Sequence, residues 1–206
     1  SSIIIFCLAL FLNIIIIYFF KNYSLLSNLI IISSTFLIIH SLVDFIKMLS
    51  RRFYSGFSRV ISHLGFGLLI FFIGINHNFS IEEDFNLKIG DKKVFNNFNI
   101  NFKSLEMIKK ENYTAVVGVF DIQDTKNLSQ EVLKPEIRVY THPETLTYEA
   151  SIRTKLSHDT YLTMSNINDS DFYNIKYQKK PFMILIWLSA VMISFGGFLR
   201  IFSNEK

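Results

Sequence analysis

Four stretches of this chain, Ser2 to Phe20, Leu25 to Leu49, Phe57 to Ile75 and Phe182 to Phe202, are each long and apolar enough to cross a hydrocarbon core roughly 30 Å thick. Four such runs cannot be hidden inside one soluble core of this size, so the sequence predicts an integral membrane frame of about four α-helices. About 105 residues, Asn76 to Lys180, separate the third run from the fourth and hold most of the charge. That is enough for one small domain. The expected organisation is three transmembrane helices over 1–76, a soluble domain over 77–180, and a last transmembrane helix with its tail over 181–206.

Charge assigns a side to each part. Between His77 and Lys180 there are 14 Lys and Arg against 15 Asp and Glu, so the inserted domain is near neutral, while the remainder holds 7 against 2. The excess belongs to the membrane frame. Lys47, Arg51, Arg52 and Arg59 cluster where the second helix gives way to the third, and Arg200 and Lys206 flank the end of the fourth. Four alternating spans put both groups on one side, and the positive-inside rule makes that side the matrix or cytoplasm. The inserted domain is then expected to face the intermembrane space or periplasm. A pI near 9.1 reports topology in such a chain, and nothing in it calls for a nucleic-acid partner.

The single cysteine, Cys7, lies in the first helix and reads as a packing residue, so the inserted domain has neither a disulfide framework nor a Cys-x-x-Cys-His haem attachment. Ile, Phe, Asn, Lys and Tyr abound while Ala, Pro and Gly are scarce, a bias toward A/T-rich codons that suggests an organelle-encoded gene. The chain opens in an apolar run without an initiator Met or signal-peptide flanks, which reads as a piece of a longer polypeptide or the product of a split gene.

Within the insert, Phe98, Ile100 and Phe102 alternate with Asn99 and Asn101, the period of a half-buried strand. Phe85 to Ile89 leads into the turn Gly90-Asp91. Further strands are expected at Thr114 to Ile122, Ile137 to Thr141, Thr147 to Arg153, Tyr161 to Ser165 and Phe172 to Tyr177. Six or so short strands without an intervening helix predict a small all-β barrel or sandwich. His142 and His158 have no second histidine at metal-ligand spacing and read as surface residues. No serine sits in a nucleophile elbow, and no glycine loop is shaped to cradle phosphate.

Chemistry is concentrated in the third helix, where His63 sits inside an apolar segment. An ionisable side chain there is costly and is a functional-site hypothesis by default. A neutral imidazole can serve as an axial ligand to haem iron. Arg59, His63, Gly67 and Gly74 fall close to one helical stripe. Either His63 ligates haem beside small residues, with Arg59 meeting a propionate, or the glycines pack helices, His63 hydrogen-bonds a neighbour and Arg59 anchors the interface. His40 on the second helix is followed by Asp44 and Lys47, and a local cluster accounts for it.

Ser62-His63-Leu64-Gly65 heads the third helix. Asn112-Tyr113-Thr114-Ala115, Pro135-Glu136-Ile137-Arg138-Val139-Tyr140, Tyr148-Glu149-Ala150-Ser151-Ile152 and Asp159-Thr160-Tyr161-Leu162 follow in the insert. Lys180-Pro181-Phe182 then leads through Trp187 to Gly196-Gly197. In this order, from Phe57 to Phe202, the features resemble the C-terminal part of CcmF, the haem lyase subunit of cytochrome c maturation. The resemblance implies a membrane enzyme that joins haem to apocytochrome c by thioether bonds and holds a b-type haem between two transmembrane histidines, of which His63 matches one. Glu136 and Arg138 have no chemical role derivable from sequence and read as a pair on one strand. With Trp187 its only tryptophan, the chain lacks the family's tryptophan-rich haem-handling segment and the second ligand for haem b. These are expected from an N-terminal haem lyase chain or segment.

The leading expectation is therefore a component of a haem lyase in a mitochondrial inner membrane, working with other cytochrome c maturation proteins and apocytochrome c. Its expected cofactor site is His63, Arg59 and Gly67, with His63 on the haem iron; the catalytic residues are not legible, and the chain alone is not expected to complete the reaction. The competing expectation is a structural or assembly subunit among respiratory-complex subunits, derived from such a protein and without lyase activity.

Overall fold

The computed structural model describes residues 2–19, 25–50, 56–126, 128–167 and 170–202. Among these residues four apolar helices form, α1 (Ser2–Phe19), α2 (Leu25–Ser50), α3 (Phe57–Phe79) and α4 (Met183–Phe202). Of these, α2, α3 and α4 are long and apolar enough to cross a membrane, while α1 contributes a shorter apolar stretch, Ile3–Ile15. Arg51, Arg52 and Lys206, three of the charges that set the expected orientation, lie outside the described residues.

α3 begins behind Gly56, whose φ of 96° is left-handed and suits a residue without a Cβ. It ends where the Ser80 N–H and Oγ both donate to the Asn76 carbonyl, at 2.9 and 2.6 Å, satisfying one of the last-turn acceptors. The helix thus runs a full turn beyond Ile75, and His77 is helical rather than part of the inserted domain.

In the helical unit α3 packs on both α2 and α4, using small residues to bring backbones close. Cβ atoms built on Gly67 and Gly74 would meet Ile38 Cγ1 at 3.0 Å and Ile30 Cγ2 at 3.4 Å, both on α2. One on Gly65 would lie 3.0 Å from the Ile193 backbone nitrogen of α4. Cys7, expected to pack, is exposed on α1.

Among the described residues the insert is a sandwich of ten strands rather than six or so. The strands are β1 (Ile81–Leu87), β2 (Lys92–Phe95), β3 (Phe98–Lys109), β4 (Tyr113–Asp124), β5 (Ser129–Leu133), β6 (Glu136–Thr141), β7 (Glu144–Glu149), β8 (Ser151–Thr154), β9 (His158–Asn166) and β10 (Tyr173–Pro181). One sheet has the order β1-β10-β9-β8, the other β2-β3-β4-β6-β7 with β5 also on β4. Phe102 and Phe120 face each other in register on β3 and β4, their rings stacked with centroids 4.4 Å apart. With Ile100, Leu162, Ile175 and Tyr177 they form a closed core between the sheets.

Two features were beyond sequence pattern. The predicted strand Thr147 to Arg153 is two strands broken at Ala150, β7 in one sheet and β8 in the other. Intermediate and exposed residues go on alternating from Thr147 across the break to Ile152, so periodicity alone cannot register a change of sheet. β4 takes β6 along its first half and β5 along its second, and the Gly118 N–H donates to the Pro135 carbonyl at 2.9 Å where one gives way to the other.

Candidate functional site on the third helix

An almost continuously apolar helix has no single face that periodicity assigns to a core. Its orientation is decided by where small residues let neighbours approach. In α3 these are Gly67 and Gly74 toward α2, and Ser58, Ser62 and Gly65 toward α4. Ser58 Oγ donates to the Gly196 carbonyl of α4 at 2.7 Å. What remains uncovered is the side that bears His63 and Arg59, both exposed in this chain.

Neither His63 nor Arg59 has a hydrogen-bond or ion-pair partner among the described residues. The Arg59 guanidinium folds back over Gly56, where an added Cβ would meet Nη2 at 3.4 Å. A cation in the first turn, at the positive end of the helix dipole, makes this end of α3 favourable for an anion. Gly67 does not share the free side. Ile38 and Leu37 of α2 cover it, the contact that the helix-packing alternative expects of it. Stripe geometry placed it near His63, but one turn of drift is enough to hand it to the neighbour.

His40 is engaged locally. Its Nδ1 lies 3.4 Å from Asp44, which also takes Lys47 at 3.7 Å, and its ring packs on Phe36 with centroids 6.1 Å apart. His142 is exposed in the β6–β7 turn, and His158 Nδ1 meets Ser157 Oγ at 2.9 Å. No group of three metal-ligating side chains occurs among the described residues.

The sandwich joins two sequence motifs that lie far apart in the chain. β4 and β6 pair so that Tyr113 faces Tyr140 and Ala115 faces Arg138. The tyrosine rings lie 5.3 Å apart, Arg138 stacks over Tyr113 at 4.8 Å, and its Nε donates to Glu136 at 2.7 Å. The hydrogen bond to Glu136 raises the Arg138 pKa further above the usual range, so this guanidinium is a permanent cation on the sheet's outer face. The pairing of Glu136 with Arg138 was legible in sequence; the tyrosines' part in it required the register of β4 on β6.

These features converge on one family. Residues 78–181, half of the chain, match the family described as the CcmF C-terminal β-sandwich. The chain belongs to the CcmF family. The cytochrome c-type biogenesis protein CcmF of Escherichia coli (strain K12) is 27% identical over 154 residues, 74% of this chain and 24% of that protein. The CcmF of Haemophilus influenzae is 27% identical over 161 residues, 78% of this chain and 24% of the relative. A solved structure titled Cytochrome c Heme Lyase CcmF has the same fold, with a TM-score of 0.74 over 94% of this chain and 33% of that one at 12% identity. The chain therefore spans about a quarter of the length of the curated CcmF relatives it matches.

Proposed function

We propose that this chain is the C-terminal component of a membrane haem lyase for cytochrome c maturation, in which His63 would hold the iron of a b-type haem. The observation that carries the reading is the state of His63. It stands within Ser62-His63-Leu64-Gly65 on a membrane-length helix, on the side that α2 and α4 leave open, with no partner for its imidazole among the described residues. A histidine kept for helix–helix hydrogen bonding would spend its donor on α2 or α4.

The donor set suits haem. A ring nitrogen of His63 would hold the haem iron, and the Arg59 guanidinium, one turn away beside the start of α3, would supply a cation for a propionate. The second ligand comes from the part of the lyase that this chain does not match. When bound, the haem supplies an iron centre that takes and returns one electron. The protein's own contribution is positional. The Ser58–Gly196 bond and the glycine contacts fix α3 against its neighbours and so fix the direction of His63.

In the reaction itself a cysteine S–H of apocytochrome c adds across a haem vinyl group. The sulfur forms a C–S bond to one vinyl carbon and the hydrogen goes to the other. Orientation of haem and peptide is the main requirement, so no nucleophile is needed from this chain. The sandwich, on the intermembrane-space side of a mitochondrial inner membrane, presents the Tyr113–Arg138–Tyr140 face to apocytochrome c or other maturation proteins.

The test is a reduced-minus-oxidised visible spectrum of the native membrane assembly, compared with the His63→Ala variant. A b-type signal present in the first and lost in the second supports the reading. A signal absent from both, or kept in the variant, overturns it and favours a structural or assembly subunit of a respiratory complex.

A further inference from the structure

An open sheet edge displays unpaired N–H and C=O groups, and proteins blunt such edges with charge or brevity. Most edges of this sandwich are blunted. β1 carries Glu82-Glu83-Asp84 in series, β2 is four residues long and begins Lys92-Lys93, and β8 is four residues long and contains Arg153. β5 has Glu131 in an ion pair with Lys155. β7 is the exception. It ends the order β2-β3-β4-β6-β7, so among the described residues no strand pairs with the side turned away from β6. Its six residues hold Thr145-Leu146-Thr147-Tyr148, an uncharged run of strand-forming side chains, with charge only at the ends, Glu144 and Glu149.

The same strand carries an apolar ledge. In the β6–β7 register Ile137 faces Tyr148 and Val139 faces Leu146, so all four share one side of the sheet. Ile137 belongs to the core, which makes that side the inward one. Cover runs out toward the edge, where Val139, Leu146 and Tyr148 are 43%, 48% and 47% exposed. The Tyr148 hydroxyl donates to Asn166 Oδ1 at 3.3 Å, at the end of β9, and fixes the rim of the ledge. Free backbone groups beside an apolar ledge are complementary to an extended chain that is apolar at every second position. A helix or a folded surface has already spent its backbone groups. A second copy of this chain is a poor occupant too, because two β7 strands paired antiparallel along their length set Glu144 opposite Glu149 at both ends. The acidic ends call for cations instead.

We infer that the free edge of β7 takes up the unfolded chain of apocytochrome c as an added strand. One face of that strand lays apolar side chains on Val139, Leu146 and Tyr148, and cationic side chains near its ends meet Glu144 and Glu149. Its other face lies beside Thr145 and Thr147, in line with Tyr140 and Arg138 of β6. Alternate residues of β7 direct their N–H and C=O groups away from β6 and bond the added backbone. The occupant rests on the haem lyase reading, whose substrate is a haem-free polypeptide; a chain that has not yet folded keeps its backbone groups available. The edge and the ledge rest on the sheet alone.

Hydrogen exchange, read by mass spectrometry on the native membrane assembly with and without added apocytochrome c, tests this. Exchange across β7 should slow several-fold with apocytochrome c, while β1, β2 and β8 stay unchanged. Holocytochrome c, already folded, should leave β7 unchanged. Leu146→Lys puts a charge on the ledge and should abolish the protection, whereas Val94→Lys, at an exposed position of β2, should not. Exchange around Phe102 and Phe120 should match the parent in both variants; if Leu146→Lys loosens that core, Tyr148→Lys serves in its place. Unchanged β7 exchange while apocytochrome c co-purifies with the assembly would overturn the edge and spare the lyase reading. Absence of both co-purification and protection would overturn the two together. Equal protection by holocytochrome c would overturn an extended occupant, and protection of β7 before apocytochrome c is added would overturn the occupant named here. A b-type signal absent from the His63 spectra, with β7 still protected by apocytochrome c, would overturn the haem site alone.

Discussion

Ser58 of α3 and Gly196 of α4 are joined by a hydrogen bond that only a glycine on α4 permits. Ser58 Oγ donates to the Gly196 carbonyl at 2.7 Å, and a Cβ on Gly196 would lie 2.8 Å from the Ser62 backbone nitrogen and 3.0 Å from the Ser58 carbonyl. The obstacle is backbone, so no side-chain movement relieves it. This contact sits directly before His63 and sets the angle at which the imidazole leaves the helix pair.

Gly196→Val is expected to separate α3 from α4 and destabilise the helical unit by about 1–3 kcal/mol, the usual cost of overpacking. Ser58→Ala removes the hydrogen bond alone and should cost about 1 kcal/mol. Thermal unfolding of the purified protein in detergent should rank Gly196→Val below Ser58→Ala and both below the parent.

Phe102 and Phe120 are fully buried and stacked at 4.4 Å between the two sheets. Phe102→Ala should lower the stability of the sandwich by about 3–5 kcal/mol, through lost burial and the cavity left behind. A fall in its denaturation midpoint of less than about 4 °C, worth roughly 1 kcal/mol or less in a domain of this size, would contradict this account of the core.

Asp121 gives the sandwich a dependence on acid. Burial opposes its ionisation, but Lys103 Nζ at 2.9 Å and Gln130 Nε2 at 2.8 Å from each carboxylate oxygen outweigh it and hold the pKa below the ordinary aspartate value. The folded state therefore favours the charged form. The stability this contributes is complete above the unfolded value of about 3.9 and is lost as pH falls from there through the folded pKa. Asp121→Asn should be less stable than the parent at neutral pH and should flatten the decline in stability below about pH 4. Urea titrations across that range measure both effects.

Tyr177 works at the alkaline end. It is 1% exposed, and burial, reinforced by the charges of Glu131 and Asp124, raises its phenol well above the usual range. The neutral phenol belongs to the fold, so stability is complete below the unfolded tyrosine value of about 10 and declines as pH rises past it. Absorbance titration should show one tyrosine that ionises only as the sandwich unfolds; normal titration of every tyrosine with the sandwich intact would contradict this.

Arg138 should tolerate loss of charge less well than loss of shape. Arg138→Lys keeps a cation near Glu136 but gives up the planar stacking over Tyr113, whereas Arg138→Met keeps much of the aliphatic contact and leaves Glu136 without its donor. Both residues are about a quarter exposed, so each change is expected to cost about 1 kcal/mol or less, with Arg138→Met the larger. Equilibrium unfolding separates the two if the Glu136 hydrogen bond dominates.

Hydropathy and short-range alternation were sufficient for much of this protein. The apolar runs determined the helices, because a bilayer-length run with little charge has few other stable environments, and alternation at Phe98, Ile100 and Phe102 determined a half-buried strand. Ser62-His63-Leu64-Gly65 marked the helix that carries the chemistry, and Glu136 and Arg138 were legible as a pair. Tertiary structure decided what depends on partners far along the chain. It split Thr147–Arg153 between two sheets, set Tyr113 opposite Tyr140, turned Gly67 toward Ile38 and left His63 on the free side. It also brought His77 into α3, on the line of Arg59 and His63. The physical reason is the same in each case. Local sequence reports that a segment prefers an apolar environment, whereas which neighbour supplies that environment depends on close approaches between backbones that local hydropathy does not encode.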